Sequence, residues 1–434
     1  MTNKRLSVKL IDRIFPIVFT LALALVVKPV FAQDHDHSHH DHDHAAAQTE
    51  TDHADCGADH DNEHSEYDPV GTVMNHIADA NEFHIWKGIH IPLPLFLYSP
   101  EAGWTTGTSA MFHHGQLAVD GYVLNHGRVN RIADANFPKG EVHLNGILHT
   151  MEASADGKAV DVFYACAEGQ QWKLDKPSTL DGGILGGGIT SFYDFSITKN
   201  VFAMFLAALL LILLWNAVAK GYRTNEGKAP SGIQSFIEPF FLFIRDEVSR
   251  PMIGEKHYER FQPFIMTLFF FILFCNLLGL VPFFPGGSNV TGNIGVTLVL
   301  AVFAFIVTNI NGNGHYWEHI FWMPGIPAWV KLILTPVEML GLVIKPFSLM
   351  IRLFANITAG HIIILSLIGL TFVFGHNGQN TGGAIGGIVI GGLFTAFMNL
   401  IELLVAFLQA FIFAILTASY IGAAVEEHEH EGAH

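Results

Sequence analysis

The arrangement of apolar and polar positions divides the chain into two parts. Up to about residue 191 apolar positions come in short alternating pieces, 90–98, 116–124 and 158–164, punctuated by Gly, Pro and Asn-Gly, a pattern that predicts a small, mainly β domain over 67–191. From Lys199 onward the apolar runs lengthen. Residues 201–219, 261–284 and 293–310 are each long enough, or nearly so, to cross a bilayer as a helix, and 233–248 is an amphipathic stretch suited to a membrane surface. Two further apolar segments, 331–374 and 385–424, are each about 40 residues, ~60 Å as helix and about twice a perpendicular span. Either each breaks in two, or both are steeply tilted. Pro336 and Pro346 could bend the first, but 347–374 and 386–424 contain no proline, which favours a long, tilted, antiparallel hairpin turning at 375–383. The expected fold is an all-α polytopic membrane protein of about five spans preceded by a small β domain.

The N-terminus changes the picture by supplying direction. Residues 1–13 are basic, 14–27 apolar, and Val30-Phe31-Ala32 offers a cleavage point, the layout of a secretory signal peptide over 1–32. An uncleaved first anchor is the alternative; either way the following segment is exported. Residues 33–66 are almost entirely Asp, His, Ala, Glu and Ser, with nothing to build a core, and are expected to be disordered. Their His35, His37, His39, His40, His42 and His44 are weak divalent-metal ligands or proton buffers, or simply a solvated tether. Lys220, Arg223 and Lys228 mark a cytoplasmic end by the positive-inside rule. Five crossings then put the turn 375–383 outside and the tail 426–434 inside, with the membrane domain over 192–425.

Composition agrees: 50% of residues are hydrophobic, 14% are charged and 36 are Phe, far from a soluble average. Of the three cysteines, Cys275 sits in an apolar run, while Cys56 and Cys166 lie in the exported part, where they are free or paired. That part has no nucleophile elbow, phosphate loop or spaced metal quartet. Its scattered histidines, such as His84, His113 and His114, are not assigned as ligands.

Between Phe261 and Val425 the only Lys, Arg, Asp and Glu residues are Lys331, Lys345, Arg352, Glu318, Glu338 and Glu402, and each charge inside a span calls for a reason. Glu338, Lys345 and Arg352 recur at seven, and Ser348, Arg352 and Asn356 at four, so a helix gathers them into one polar stripe. Folding the hairpin places Gln409 level with Arg352 and Glu402 level with His361. One conflict remains: His361, nine residues from Arg352, falls on nearly the opposite helix face, whereas Glu402 and Gln409 share one. Helix distortion or a different rotation must reconcile them.

These residues carry a resemblance. The run Ser348-Leu349-Met350-Ile351-Arg352-Leu353-Phe354-Ala355-Asn356-Ile357-Thr358-Ala359-Gly360-His361 resembles the signature of F-type ATP synthase subunit a. Leu408-Gln409-Ala410-Phe411-Ile412-Phe413 resembles that family's final-helix motif, and Asn276-Leu277-Leu278-Gly279-Leu280-Val281-Pro282, with Asn293, Thr297 and Glu338, adds further matches over roughly 192–427. The resemblance implies a subunit without a nucleotide site or cofactor in a bacterial inner membrane, with a c-ring and the peripheral-stalk subunit b as partners. It implies that Arg352 faces the rotor carboxylate with Gln409 beside it. His361 and Glu402, an exchanged version of a family pair, would relay protons in the outer half-channel, and Glu338 would line the inner one. Ser348, Asn356 and Asn276 are placed on the proton path, and H⁺ is expected over Na⁺. Two features depart from the family: the long exported extension, and Gly279 where some members carry an acid. A divalent-metal transporter, which would want inverted repeats that are not visible, and a membrane-anchored exported enzyme are the rival readings.

Overall fold

The structure, a computed structural model, describes residues 78–426 apart from 87–88, 133, 135, 154–158, 176–190, 282–283, 324–325 and 375–380. The expected signal peptide, the His/Asp tract, the centre of the hairpin turn and nearly all of the tail lie outside the described residues. The chain forms two units, one of β-strands up to Lys199 and one of helices from Asn200.

Among the described residues the β unit contains twelve strands: β1 (Glu82–Trp86), β2 (Ile89–Pro92), β3 (Pro94–Ser99), β4 (Gly103–Thr108), β5 (Leu117–Val119), β6 (Tyr122–Asn125), β7 (Arg128–Arg131), β8 (Glu141–His143), β9 (Gly146–Ala153), β10 (Ala159–Ala167), β11 (Gln170–Lys173) and β12 (Tyr193–Asp194). A 3₁₀ turn, Ser109–Gly115, joins β4 to β5. The strands make four small antiparallel sheets ordered β1-β2, β12-β3-β4, β7-β6-β5-β8 and β11-β10-β9. Tight hairpins recur because the chain supplies Asp120-Gly121, His126-Gly127 and Glu168-Gly169, each pair at positive φ, the geometry that matches the twist of the flanking strands. Strand β6 is buried on both faces. Its alternate side chains therefore join two cores: Tyr122 and Leu124 pack with Leu95, Leu97, Phe112, Val129 and Phe192, while Val123 packs with Ala118, Ile132, Val142 and Ala165. Cys166 is disulfide-bonded and Cys275 is a free, buried thiol. Cys56, the partner considered from the sequence, lies outside the described residues.

The helical unit comprises α1 (Lys199–Thr224), α2 (Ile233–Phe243), α3 (Arg250–Ile253), α4 (Tyr258–Leu280), α5 (Ile294–Ile310), α6 (Gly314–Trp322), α7 (Ala328–Phe374) and α8 (Thr381–Val425), with a π-helical stretch, Ile244–Ser249, between α2 and α3. Among the described residues four helices, α1, α4, α7 and α8, are long and apolar enough to cross a membrane. Helices α5 and α6 meet at 105° and count as a fifth span only together. The bend is held by Asn311 Nδ2 donating back to Val307 O and by Asn313 donating Nδ2–H to Val425 O and N–H to Ala424 O at the end of α8. Both long segments are single helices of 47 and 45 residues, so neither breaks into two spans, and Pro336 and Pro346 are accommodated within α7.

Helix α4 is the pillar of this unit: 67% of its most apolar stretch is buried, against 11% for α7. Its Phe269 and Phe270 meet Phe407 and Trp215 edge-on. Helix α8 presents Ala406, Ala410, Ala414 and Ala418, all fully buried, and Gly422, whose Cβ, if present, would lie 1.8 Å from Met252 O. Small residues at every fourth position let backbones approach closely, the usual solution where lipid offers no hydrophobic drive between helices.

Candidate functional site

Antiparallel packing of α7 on α8 follows from two pairs: Lys345 Nζ lies 5.5 Å from the centre of the Tyr420 ring, and farther along α7, His361 Nε2 lies 3.9 Å from Glu402 Oε1. Glycines lie against the second pair. A Cβ on Gly360 would sit 2.8 Å from Glu402 Oε1 and 3.0 Å from its Cδ, so a side chain there would make the carboxylate shift. A Cβ on Gly279 of α4 would be 3.5 Å from His361 Nε2. The His361 imidazole therefore lies against position 279. Glu402 is only 4% exposed, and neither of its oxygens has a hydrogen-bond partner among the described residues. Burying a carboxyl group without hydrogen bonds is costly, and more so for its ionised form.

Asn276, one turn before Gly279, donates Nδ2–H to Ala406 O of α8 at 3.0 Å and accepts the Thr291 hydroxyl at 2.6 Å. With both ends engaged, it ties α4, the loop before α5 and α8 together beside the Glu402 cluster. Gln409, two turns after Glu402, is also 4% exposed, and the two share the buried face of α8.

Arg352 is half-buried. On α7 the packed face carries Leu349, Met350, Leu353 and Ile357, all buried, and the open face carries Phe347 and Ile351, 53% and 42% exposed. Arg352 lies between them, as do half-buried Glu338, Lys345 and Ser348, whereas Asn356 turns outward. Arg352 is within electrostatic reach of Tyr420, but among the described residues it makes no ion pair or hydrogen bond. The conflict over helix faces is resolved by rotation: His361 points into the α4 and α8 side, leaving Arg352 at the edge of the open face.

Two spaces flank this arrangement. A cavity of about 20 Å³, room for one water, is lined by Thr308, Asn309, Tyr316, Lys345 and Tyr420, and Glu338 is in electrostatic reach of Tyr316. Toward the turn end of the hairpin, Ile368, Ile388, Thr395 and Asn399 border an open groove. Thr395, Asn399 and Glu402 fall at i, i+4 and i+7 on α8, so the groove and the carboxylate share a helix face. Thr395, Asn399, Gly360 and Thr291 were not singled out from the sequence. The helical spacing of Thr395 and Asn399 to Glu402 was the one signal available for them.

The family model for the ATP synthase A chain matches residues 201–422. The chain belongs to that family. Among similar proteins carrying the name ATP synthase subunit a, that of Chlorobium phaeobacteroides (strain BS1) is 43% identical over 259 residues, covering 58% of this chain and 71% of the relative. That of Chloroherpeton thalassium is 43% identical over 244 residues, 55% of this chain and 69% of the relative. The Myxococcus xanthus protein is 39% identical over 265 residues, 59% of this chain and 82% of the relative. Family membership bears out the resemblance read from the signature around Arg352 and makes the helical unit that of a multi-pass membrane protein. A second model, for a domain of unknown function, matches residues 72–154 in the β unit.

Proposed function

We propose that this chain is the proton-translocating stator subunit of a rotary F-type ATP synthase, offering two half-channels to a c-ring so that ion flow turns the rotor. The observation that carries the reading is Arg352: a half-buried guanidinium, without an ionic partner among the described residues, at the edge of a helix whose apolar stretch is 11% buried. A charge kept in an apolar setting without an internal counter-ion is best accounted for by a counter-ion on another subunit. The rotor carboxylate is that group. Guanidinium stays protonated in any such environment, so it lowers the pKa of an approaching carboxylate, forces its proton off and bars direct passage between the half-channels.

Glu402 and His361, with the groove beside Thr395 and Asn399, form the outer path, and Gln409 continues the same buried face toward Arg352. Glu338, Ser348 and the small cavity at Lys345 form the inner path, with Asn356 on the rotor side and Asn276 holding α4 to α8. The imidazole and carboxyl favour H⁺ over Na⁺. Partners are the c-ring, subunit b and the other ATP synthase subunits; ATP is made elsewhere in the complex, and this chain needs no cofactor. In a bacterial inner membrane, the β unit is exported and the C-terminus is cytoplasmic.

The test is ATP-driven acidification of inverted vesicles carrying wild-type chain or Arg352→Ala, with passive leak recorded in both. Loss of pumping in an assembled complex supports the reading, and added leak marks Arg352 as the barrier. Unchanged pumping in a complex containing only the variant overturns it.

A further inference from the structure

The β unit holds a cluster that proton transport does not use. We infer that Glu82, His90 and His114 form a binding site for one divalent transition-metal ion, zinc by preference. One ligand atom from each lies within 4.8 Å of the others. His90 Nδ1 is 3.3 Å from Glu82 Oε1, and His114 Nδ1 is 3.7 Å from Glu82 Oε2. Two donors bound to zinc at ~2.0–2.1 Å in tetrahedral geometry lie roughly 3.3 Å apart, so a small closure of the His114 edge completes three corners of a site. Two imidazoles and a carboxylate suit zinc and exclude calcium and magnesium, which want oxygen ligands.

The fold builds this convergence from two elements. In the β1-β2 ladder Glu82 pairs with Pro92 and His84 with His90, which places Glu82 and His90 diagonally on one face of the hairpin. Their side chains are 13% and 16% exposed. The third donor comes from the 3₁₀ turn, which is fastened to the same strand end by Ser109: its N–H donates to Leu93 O, and its Oγ accepts from Leu93 N–H, both at 3.1 Å. At the other end of this turn His113 and His114 both adopt left-handed backbone, φ 43° and 59°. Such conformations are unfavourable for a residue with a Cβ and persist where surrounding structure or a ligand stabilises them. Here they bring the His114 ring to 4.0 Å from the His90 ring, centre to centre. His114 is 54% exposed, so the fourth metal position opens toward solvent and takes water or an external ligand. The bound ion would clamp the β1-β2 hairpin to the turn. This inference does not depend on the proton-channel reading.

The experiment uses the full chain in its purified complex, with every histidine of residues 33–66 replaced by Ser to remove weak background binding. Zinc is titrated by equilibrium dialysis, Co²⁺ is added separately for its visible spectrum, and Mg²⁺ serves as competitor. One zinc per chain is expected, unmoved by Mg²⁺. Affinity should fall at least roughly 10- to 100-fold in each of Glu82→Gln, His90→Ala and His114→Ala, and remain unchanged in His143→Ala, on the nearby strand β8. The Co²⁺ complex should absorb as a low-symmetry nitrogen and oxygen site without thiolate bands, a readout that needs no variant to fold. Absence of stoichiometric zinc, or equal binding in all four variants, overturns the site.

Discussion

The two units differ in where their polar groups meet the packing. In the helical unit they are rare, and those that matter stand where helices converge: Asn276 is spent on Ala406 O and the Thr291 hydroxyl, Asn313 on the end of α8, and Glu402 rests against Gly360 facing His361. In the β unit polar side chains are abundant; an ionic network of Glu152, Tyr164 and Lys173 lies on the surface, and buried Arg131 reaches out to exposed Glu101. The difference teaches where function is bound to packing. A misplaced polar group among apolar helices costs several kcal/mol, so chemistry there depends on the exact approach of backbones, whereas surface ion pairs contribute ~0–1 kcal/mol and tolerate change.

The comparison is broken most forcefully at Arg352. Replacement by Ala should abolish pumping, a loss of roughly two orders of magnitude or more, without lowering the amount of assembled complex, read by vesicle acidification against subunit content. Next come the small residues. Ala414→Leu should over-pack the buried face of α8 by ~1–3 kcal/mol or more and lower recovery of intact complex from detergent. Gly360→Leu should displace Glu402 and slow proton flux about tenfold while the complex still assembles, a split that separates path from scaffold.

In the β unit, Leu97→Ala removes a fully buried side chain and should cost ~2–5 kcal/mol, lowering the unfolding temperature of that unit while vesicle pumping is retained. The mildest effect concerns pH. His126 is held below the usual imidazole pKa by burial and then by neighbouring His149, so the unfolded chain binds its proton more readily. That contribution to stability is present above the ordinary imidazole value and declines as pH falls below it. Glu152, lowered by its hydrogen bonds from Lys173 and then Tyr164, adds stability above the ordinary carboxylate range that is lost on further acidification. Thermal melts from neutral to acid pH should therefore show a decline that His126→Asn flattens in its upper part; Asn tolerates the φ of 46° there. Glu152→Gln should lower stability at pH values above the ordinary carboxylate range and remove the decline at the lowest ones. A β unit whose stability ignored both changes would break this account.

Much of the helical unit was legible in order and type, because long apolar runs admit few structures besides membrane helices. The continuity of α8 and of α7 beyond residue 346 followed from the lack of proline there, whereas α7 runs through Pro336 and Pro346 as well, and the signature around Arg352 pointed to the family. The 105° turn between α5 and α6 was not read, since Asn311 and Asn313 look like ordinary loop residues until their carbonyl partners are known. For the β unit, alternation indicated strands but not their pairing across four sheets, nor that β6 serves two cores.

What the amino-acid sequence determined by itself was therefore the class of each segment and the inventory of scarce charges, because hydrophobic period and the cost of charge in lipid are local properties. Only the tertiary structure decided the rest: that His361 turns toward Glu402 and away from the open side of α7, that Gly360 and Gly279 lie against them, and that His114 meets His90 and Glu82. Those outcomes depend on helix rotation and on the close approach of elements far apart in the chain, which residue spacing along one element does not specify.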